Sequence, residues 1–370
     1  MLDLFTKLFS RSIGLIGYFA DHLPLRALNN KIVVTPSYEV DICDSERECL
    51  IKTEQIYGVH YRYSLKYFQK ETFISCHKDV IFLGNSGAIV EERNAVVAES
   101  AFDELRLIKS PSFRMPSLMF GKNKKGVYTS VIHLPWSKWN IYHWFIDCLP
   151  RFYSIKQIPF ESTIFLIVND RLEPFQEESV KFFLQEDSRL KLVKIKNSEK
   201  WYIDEFWLPS FASSHMSGYL PKEHICYVKS IILQGYQINN SSSKKKIYIS
   251  RKGALKRRIL NEASIINLLE RSGYLIVQAE KLAFRDQVEL FVNASVIISC
   301  HGAGLTHVLF ASDCKVVEIQ PENMVKSHYC LLSKACGHEY RSYISGTADN
   351  NLDFCIDLDG FVDLIGDLIN

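Results

Sequence analysis

The stretch "SVIISCHGAGLTHVLFASDCKVVEIQ", residues 295–320, predicts the fold of the second half of the chain. It begins as a buried strand, continues as an apolar helix from about Leu305, and ends as a second strand. Strands joined in this way lie parallel in one sheet with helices on its faces. Between strand and helix stand His301, Gly302, Ala303 and Gly304. We expect these four residues at the carboxyl end of the strand, where open α/β sheets bind ligands.

The same alternation of strands and helices continues on the amino-terminal side. Four strands and three helices alternate over about 80 residues ending at Gln320, as in a Rossmann-like half. Earlier, "ESTIFLIVND", "PFQEESVKFFLQE" and "LKLVKI" give a second strand–helix–strand pattern, and the polar "QINNSSSKKK" at 237–246 is the best linker. The sequence therefore predicts an α/β fold with two Rossmann-like domains facing across a cleft. The predicted ranges are an N-terminal α/β domain at 1–240, a C-terminal Rossmann-like domain at 241–345, and a tail at 346–370.

Composition limits the classes of protein that fit. The 370 residues are 47% hydrophobic and 23% charged, which is typical of a compact globular protein. A net charge of +2 predicts no general attraction to nucleic acid. The ten cysteines show no Cys-x-x-Cys pair, which favours a reduced, cytoplasmic protein, although a secreted disulfide framework stays open.

The amino-terminal segment, residues 1–24, has apolar residues at helical spacing. Its longest uncharged run, Ser12–Ala20, is too short to cross a bilayer, which takes about 20 residues. We expect a helix docked on its own domain. The alternative is a helix lying in the membrane interface, which would give the protein a peripheral membrane contact.

Two features predict an anion site at the carboxyl ends of the strands. The helix after Gly304 would point its free N–H groups there, and glycines would let a phosphate approach the backbone. A simple tight turn is the alternative. The run "KKKIYISRKGALKRR", residues 244–258, adds eight basic residues and no acid. Arg251 and Lys252 follow a strand that ends at the same edge, and Arg257 or Arg258 could reach the same anion. A solvated basic face is the alternative for each of them.

A third constellation lies in "WNIYHWFIDCLPRFY", residues 139–153. Asn140, His143 and Asp147 are spaced so that one helix would carry all three on one face. Pro150 would disturb that helix. A polar stripe bordered by Trp and Phe predicts a binding or catalytic surface.

These blocks together resemble glycosyltransferase family 61. The chain contains "HWFIDCLPR", "SRKGALKRRILNE", "HGAGLTHVLF" and "VVEIQP" in the order of the family pattern, within residues 139–321. The one departure is His307, where the family more often has asparagine, which leaves open what this position contacts at the base or sugar end of the donor.

The resemblance implies a GT-B fold and an inverting, metal-independent transfer of sugar from a nucleotide donor, with a UDP-sugar favoured. Arg251 and the His301–Gly304 turn would bind the donor diphosphate, with Lys252 and Arg258 beside them, and Glu318 would bind ribose hydroxyls. No metal and no cofactor other than the donor is expected. The acceptor would be a glycan or a lipid-linked saccharide, in bacterial capsule or surface polysaccharide assembly, and the protein would be cytoplasmic or peripheral at the inner membrane face.

The catalytic base would come from the first domain, and His143 and Asp147 both qualify. The ordinary pKa of histidine suits a base better, whereas an anionic aspartate would stabilise a positive transition state. We assign the base to Asp147, with His143 orienting it or the acceptor. Two other functions compete, a non-catalytic nucleotide-sugar-binding regulatory module and a nucleic-acid binder. The polar stripe favours the enzyme over the first, and the near-zero net charge disfavours the second.

Overall fold

The computed structural model describes residues 25–26, 31–58, 66–84, 86–91, 95–102, 120–132, 139–214, 216–239 and 243–369. The predicted amino-terminal helix, residues 1–24, lies outside this part of the chain. None of the described helices has the length and apolar character of a membrane span. All ten cysteines are free.

The strands are β1 (Leu25–Arg26), β2 (Ile32–Thr35), β3 (Tyr38–Asp41), β4 (Lys66–Gln69), β5 (Thr72–Leu83), β6 (Ile89–Glu91), β7 (Ala95–Val97), β8 (Phe120–Ser130), β9 (Ile164–Asn169), β10 (Leu190–Ile195), β11 (Glu199–Pro209), β12 (Lys245–Ile249), β13 (Tyr274–Val277), β14 (Ala294–Cys300), β15 (Lys315–Gln320) and β16 (Glu339–Ile344). The α-helices are α1 (Asp44–Tyr57), α2 (Ile141–His143), α3 (Arg151–Ile155), α4 (Pro174–Glu186), α5 (Lys222–Tyr236), α6 (Glu262–Arg271), α7 (Phe284–Val292), α8 (His328–Ala335) and α9 (Leu358–Ile369). A π-helical stretch covers Trp144–Cys148, and 3-10 helices cover Ala98–Ser100, Ala279–Lys281 and Ala303–Phe310.

Contacts divide the chain into two units. The first consists of Met1–Ser37 and Lys70–His215, and the second of Tyr38–Gln69 and Met216–Asn370. This division differs from the ranges predicted from the sequence. Helix α5 is tied to the second unit by Lys229, whose Nζ donates to the carbonyl of Ala311 at 2.6 Å, and α9 supplies core residues of the same unit.

The first unit contains one mixed sheet in the order β1-β7-β6-β5-β11-β8-β9-β10, with β2 also paired to β5. Strands β8, β9 and β10 run parallel, as the strand–helix–strand pattern predicted. Strand β5 is antiparallel to β2, β6 and β11, so this sheet is not the purely parallel sheet of a Rossmann-like domain. Short connections such as the one from β5 to β6 can join only antiparallel neighbours. Bulky apolar side chains, among them Phe82 and Phe206, fill its core.

The second unit contains a fully parallel five-stranded sheet in the order β13-β12-β14-β15-β16. Four of its strands lie where the sequence predicts strands, and β16 is an additional one. The predicted helix near Leu305 is present as the 3-10 helix Ala303–Phe310. Tyr248, Ile298 and Val317 form the core with residues of α6 and α9.

Candidate functional site

The strand order of the second unit identifies where a ligand would bind. If the five strands are numbered in chain order from β12, their order in the sheet is 2-1-3-4-5. The strands are therefore added on opposite sides of β12, and the switch point lies between β12 and β14. In open α/β sheets, ligands bind outside the carboxyl ends of the strands at this switch point. Arg251 lies two residues after β12, and His301 directly follows β14. The sequence prediction that these two residues meet at one sheet edge is confirmed by the pairing of β12 with β14.

His301 is held by a buried carboxylate. Its Nδ1 lies 2.5 Å from Oε1 of Glu318, and the hydroxyl of Tyr340 donates to Oε2 of Glu318 at 2.6 Å. Burial raises the pKa of Glu318 to about 8. Burial, reinforced by the positive charges of Arg257 and Lys326, keeps the pKa of His301 well below its usual range. Burial thus favours the uncharged form of both side chains.

Three cations surround this histidine. Arg251 donates from Nε and Nη2 to the carbonyls of Arg257 and Lys256, and Arg257 Nη1 donates to the carbonyl of His301 at 3.4 Å. Burial and the charge of Arg257 lower the pKa of Lys326. In the part of the chain that the structure describes, neither arginine nor Lys326 pairs with a carboxylate. Mutual repulsion without a counter-ion is costly unless an anion binds there.

Gly302 brings the arginine close to the backbone. A Cβ atom at Gly302 would lie 2.1 Å from Nη1 of Arg251, so the guanidinium rests on the bare glycine Cα. Any side chain here would displace it. The 3-10 helix that starts at Ala303 follows directly. Gly304 packs against Ile249, where a Cβ would come within 3.2 Å of Cγ2.

Several predicted site residues lie elsewhere. Arg258 is not free to bind a ligand, because its Nε and Nη2 both donate to Oδ2 of Asp353, and Arg257 takes the expected place beside His301. Lys252 is exposed to solvent. Glu318 does not offer oxygens to a ribose, because it is completely buried and both oxygens are already engaged in hydrogen bonds.

The position that departs from the family pattern is also structural. The His307 ring is 1% exposed and stacks on Phe291 with a centroid distance of 4.7 Å, and its Nδ1 bonds to the carbonyl of Gly304. Burial lowers the pKa of His307 to about 4. It therefore packs inside the second unit and does not contact the base or sugar end of a donor.

The first unit contains a second histidine–carboxylate pair. His143 Nδ1 lies 2.6 Å from Oδ2 of Asp147, so the prediction that both lie on one helical face is confirmed. The hydroxyl of Ser213 donates to Oδ1 of Asp147 at 2.5 Å. Asp147 is 1% exposed, whereas the His143 side chain is 21% exposed. The ring nitrogen Nε2 of His143 has no hydrogen-bond partner among the described residues and remains available.

The helix around this pair is irregular, as expected from the presence of Pro150. Residues Trp144–Cys148 form a π-helical stretch, in which the N–H of Leu149 donates to the carbonyl of Trp144. Such stretches often occur at functional sites. Asn140 is not part of the polar stripe, because its side chain caps the helix by accepting from the N–H of Tyr142 at 3.0 Å.

Three residues near these clusters were not predicted from the sequence. Ser213 and Lys70 come from segments far from residues 139–153 and carry no local motif. Burial lowers the pKa of Lys70 to about 8, against the opposing effect of the negative charge of Asp147. Lys326, after β15, joins the cations around His301, and its only sequence signal is a lysine after a strand that ends at the ligand edge. No group of three or more His, Cys, Asp or Glu side chains in the described chain is placed to hold a metal ion.

Comparison with known proteins identifies a family that this chain resembles. Residues 141–317 match the model of the family described as Glycosyltransferase 61. The match confirms the resemblance to this family. It includes both histidines of the two pairs and Arg251, and it ends one residue before Glu318.

Individual relatives are similar over shorter stretches. The EGF domain-specific O-linked N-acetylglucosamine transferase of Canis lupus familiaris is 31% identical over 100 residues, covering 26% of this chain and 18% of that protein. Its counterpart in Drosophila melanogaster is 38% identical over 85 residues, covering 21% and 16%. The Beta-1,2-xylosyltransferase of Arabidopsis thaliana is 30% identical over 104 residues, covering 24% and 20%. The chain thus covers a fifth or less of the length of each of these relatives.

Proposed function

We propose that this protein is a glycosyltransferase that moves a sugar from a nucleotide-sugar donor to a hydroxyl group of a glycan acceptor. The observation that carries the proposal is the cluster of Arg251, Arg257 and Lys326 around His301 at the switch point of the parallel sheet. The family match and the pair of His143 and Asp147 support catalytic turnover rather than binding alone.

The cation cluster suits a diphosphate. Opposite unit charges about 4 Å apart at a partly wet site attract each other by roughly 4 kcal/mol. Two or three such contacts would stabilise the departing diphosphate without a divalent ion. The proposed donor is therefore a nucleoside diphosphate sugar, and the proposed reaction is metal-independent. The preference for UDP comes from the family resemblance alone.

The first unit would supply the base, and His143 fits that role better than Asp147. Asp147 is buried and both of its oxygens are engaged, whereas His143 keeps an available Nε2. In the proposed inverting reaction, the acceptor oxygen bonds to the anomeric carbon on the face opposite the diphosphate and loses its proton to Nε2 of His143. The bond from that carbon to the diphosphate oxygen breaks, and its electron pair leaves with the diphosphate. Asp147 would orient His143 and stabilise its charged form.

The proposal includes the finer expectations from the sequence. They are a GT-B arrangement in which the first unit presents the acceptor, a cytoplasmic location with peripheral membrane contact through residues 1–24, and a lipid-linked saccharide acceptor in bacterial capsule or surface polysaccharide assembly. Sedimentation of the full chain with anionic liposomes at low salt tests the membrane contact. If the protein stays in the supernatant, that part of the proposal is wrong.

Melting experiments test the donor site. UDP, GDP, CDP and ADP are added to wild type and to Arg251→Ala, with Arg258→Ala as the matched control because Arg258 is engaged by Asp353. A ligand at a hundredfold excess over its dissociation constant stabilises the native state by about 2.7 kcal/mol. We expect this shift in wild type and Arg258→Ala, its loss in Arg251→Ala, and no effect of a chelator on turnover.

Other outcomes would change the proposal. An equal shift in wild type and Arg251→Ala removes Arg251 from the site. Loss of turnover with a chelator contradicts the metal-independent reaction. Tight nucleotide-sugar binding with no transfer to any acceptor would favour the regulatory module over the enzyme.

A further inference from the structure

A pair of acceptor oxygens lies beside the cation cluster, at the carboxyl end of β13. Gln278 and Glu280 follow this strand directly, and Glu280 is exposed. A Cβ atom built on Gly253 would lie 2.8 Å from Oε1 of Glu280 and 3.6 Å from Oε1 of Gln278. Both side-chain oxygens therefore converge on the turn that follows Arg251. Gly253 leaves room for the Glu280 carboxylate in this orientation, because a Cβ there would push that side chain aside.

The negative charge of Glu280 lies close to a site that we propose binds an anion, which calls for an explanation. Glu280 lies near enough to Arg251 for its negative charge to oppose the lowering of the Arg251 pKa that burial causes. It forms no ion pair with that arginine in the described chain, so it is not simply the counter-ion. An unpaired carboxylate repels a diphosphate bound at the arginines. An ionised carboxylate accepts hydrogen bonds and donates none, so Glu280 would favour binding if the ligand also presents hydroxyl groups.

We propose that Glu280 and Gln278 bind the vicinal 2′- and 3′-hydroxyls of the donor ribose. The inference rests on the proposed nucleotide-sugar site and adds the polarity of the donor, with the nucleoside toward β13. In Rossmann-like sheets, an acidic residue after the second strand binds ribose in this way, and β13 is the second strand of this sheet. The ribose is covalently linked to the diphosphate, so it must lie next to Arg251. Two oxygens over one turn match two neighbouring hydroxyls.

This assignment replaces Glu318 as the ribose ligand. Glu318 is fully buried and holds His301, whereas Glu280 is exposed at the rim of the same switch point. The transferred sugar also carries vicinal hydroxyls, so the experiment must separate the two sources. UDP and its relatives contain the ribose and lack the transferred sugar, which makes them the right probes.

Calorimetric titration of the full chain tests the inference. The probes are the nucleoside diphosphate that wild type binds best among UDP, GDP, CDP and ADP, its 2′-deoxy analogue, and inorganic pyrophosphate. A hydrogen bond to a charged group predicts that Glu280→Ala weakens binding of the nucleoside diphosphate by roughly 10- to 100-fold. Pyrophosphate binding should be unchanged or tighter, because a repelling charge is gone. The 2′-deoxy analogue should bind wild type more weakly and respond less to Glu280→Ala.

Controls and contrary results keep the inference separate from the donor site. Glu270→Ala removes an exposed glutamate of the same unit from α6 and should change neither affinity. Equal changes for the nucleoside diphosphate and pyrophosphate, or no change for either, would overturn the ribose assignment while leaving the donor site standing. If Glu280→Ala weakens binding only of the complete nucleotide sugar, Glu280 contacts the transferred sugar, and the ribose assignment is wrong. If wild type binds none of the nucleoside diphosphates and no pyrophosphate, the proposed function and this inference both fail.

Discussion

The two units contain the same arrangement of side chains in different surroundings. In each, a histidine bonds through Nδ1 to a buried carboxylate, and a hydroxyl donates to the second carboxylate oxygen. The first unit uses His143, Asp147 and Ser213. The second uses His301, Glu318 and Tyr340. The first pair is built within one helical segment, whereas the second bridges the ends of the neighbouring strands β14 and β15.

Exposure and charge separate the two pairs. The His143 side chain is 21% exposed, and that of His301 is 6% exposed among three cations. A histidine that must accept a proton from a substrate needs an accessible nitrogen and room for its own positive charge. Beside arginines and a lysine, protonation is unfavourable, so His301 suits the role of an uncharged hydrogen-bonding group. Both pairs have a carboxylate, so exposure and surrounding charge are what distinguish the histidine that is better suited to act as a base.

The largest expected effect concerns the exposed pair. His143→Ala should lower turnover by roughly 10²- to 10⁴-fold, the range for losing a general base, and leave the melting shift with nucleoside diphosphate intact. Asp147→Asn should lower turnover less, and Ser213→Ala least, because these residues act through His143. Turnover measured with the nucleotide sugar and its acceptor gives the ranking.

An unrelated change in the same unit provides the control. Lys181→Ala alters an exposed residue of α4 and should leave turnover unchanged. If Asp147→Asn is inactive while His143→Ala is nearly normal, Asp147 is the base after all. Loss of nucleotide binding in both variants would show that the pair of His143 and Asp147 has a structural role.

The next effect concerns the close approach in the second unit. Gly302→Ala places a Cβ where Nη1 of Arg251 lies, so the guanidinium must move away from His301. If each displaced charged hydrogen bond contributes 1.5–3 kcal/mol, nucleoside diphosphate affinity should fall by roughly 10- to 100-fold. Titration calorimetry measures the loss. The control is Gly366→Ala in α9, where a Cβ meets no atom within 4 Å. Unchanged affinity in Gly302→Ala would show that the position of Arg251 does not matter for binding.

The buried pair also predicts a pH dependence of stability. Burial raises the pKa of Glu318 from an ordinary 4.5 to about 8, so the folded protein keeps a proton that the unfolded chain releases. Stability therefore falls as pH rises toward 8. His301 acts in the opposite direction near pH 6.5, where the unfolded histidine is about half charged and the folded one is neutral, and this contribution fades above about pH 7.5. Linkage limits the slope to about 1.4 kcal/mol per pH unit.

The measurement is the free energy of unfolding by denaturant at several pH values from 6.5 to 8. Wild type should lose up to about 2 kcal/mol more than Glu318→Gln across this window. Other titrating groups, Lys70 included, are common to both proteins and cancel in the difference. Parallel curves for the two proteins would show that Glu318 does not hold a proton in this range.

The sequence was most informative where backbone topology alone brings residues together. Parallel strands end at one sheet edge, so recognising both strands placed Arg251 after β12 and His301 after β14 at the same edge. The pairing of β12 with β14 then makes them neighbours. The pair of His143 and Asp147 followed from helical spacing for the same kind of reason. Periodicity specifies backbone direction, and residues fixed by backbone direction can be predicted from it.

Side-chain direction and burial were beyond such reasoning. Arg257 and Arg258 are adjacent and chemically alike, and the left-handed backbone at Arg257, φ +60°, decides which one points to His301. Glu318 was predicted to face the ligand because it lies near a strand end, yet the register places it beside Ser299 inside the sheet. Such choices depend on long-range packing, which local sequence does not encode.

The smallest expected effect concerns Asn140, which the sequence placed in the polar stripe with His143 and Asp147 and which the structure shows to be a helix cap. Asn140 caps the helix before His143, accepting from the N–H of Tyr142. Asn140→Ala should therefore lower the free energy of unfolding by about 1 kcal/mol, the usual cost of losing an N-cap, and Asn140→Ser should restore most of it. Turnover at a temperature well below melting should stay near wild type in both variants, since Asn140 holds the start of the helix while Asp147 and Ser213 hold His143. A large loss of turnover in Asn140→Ser, with its stability kept, would return Asn140 to the catalytic surface and show that three residues of the stripe act on the acceptor.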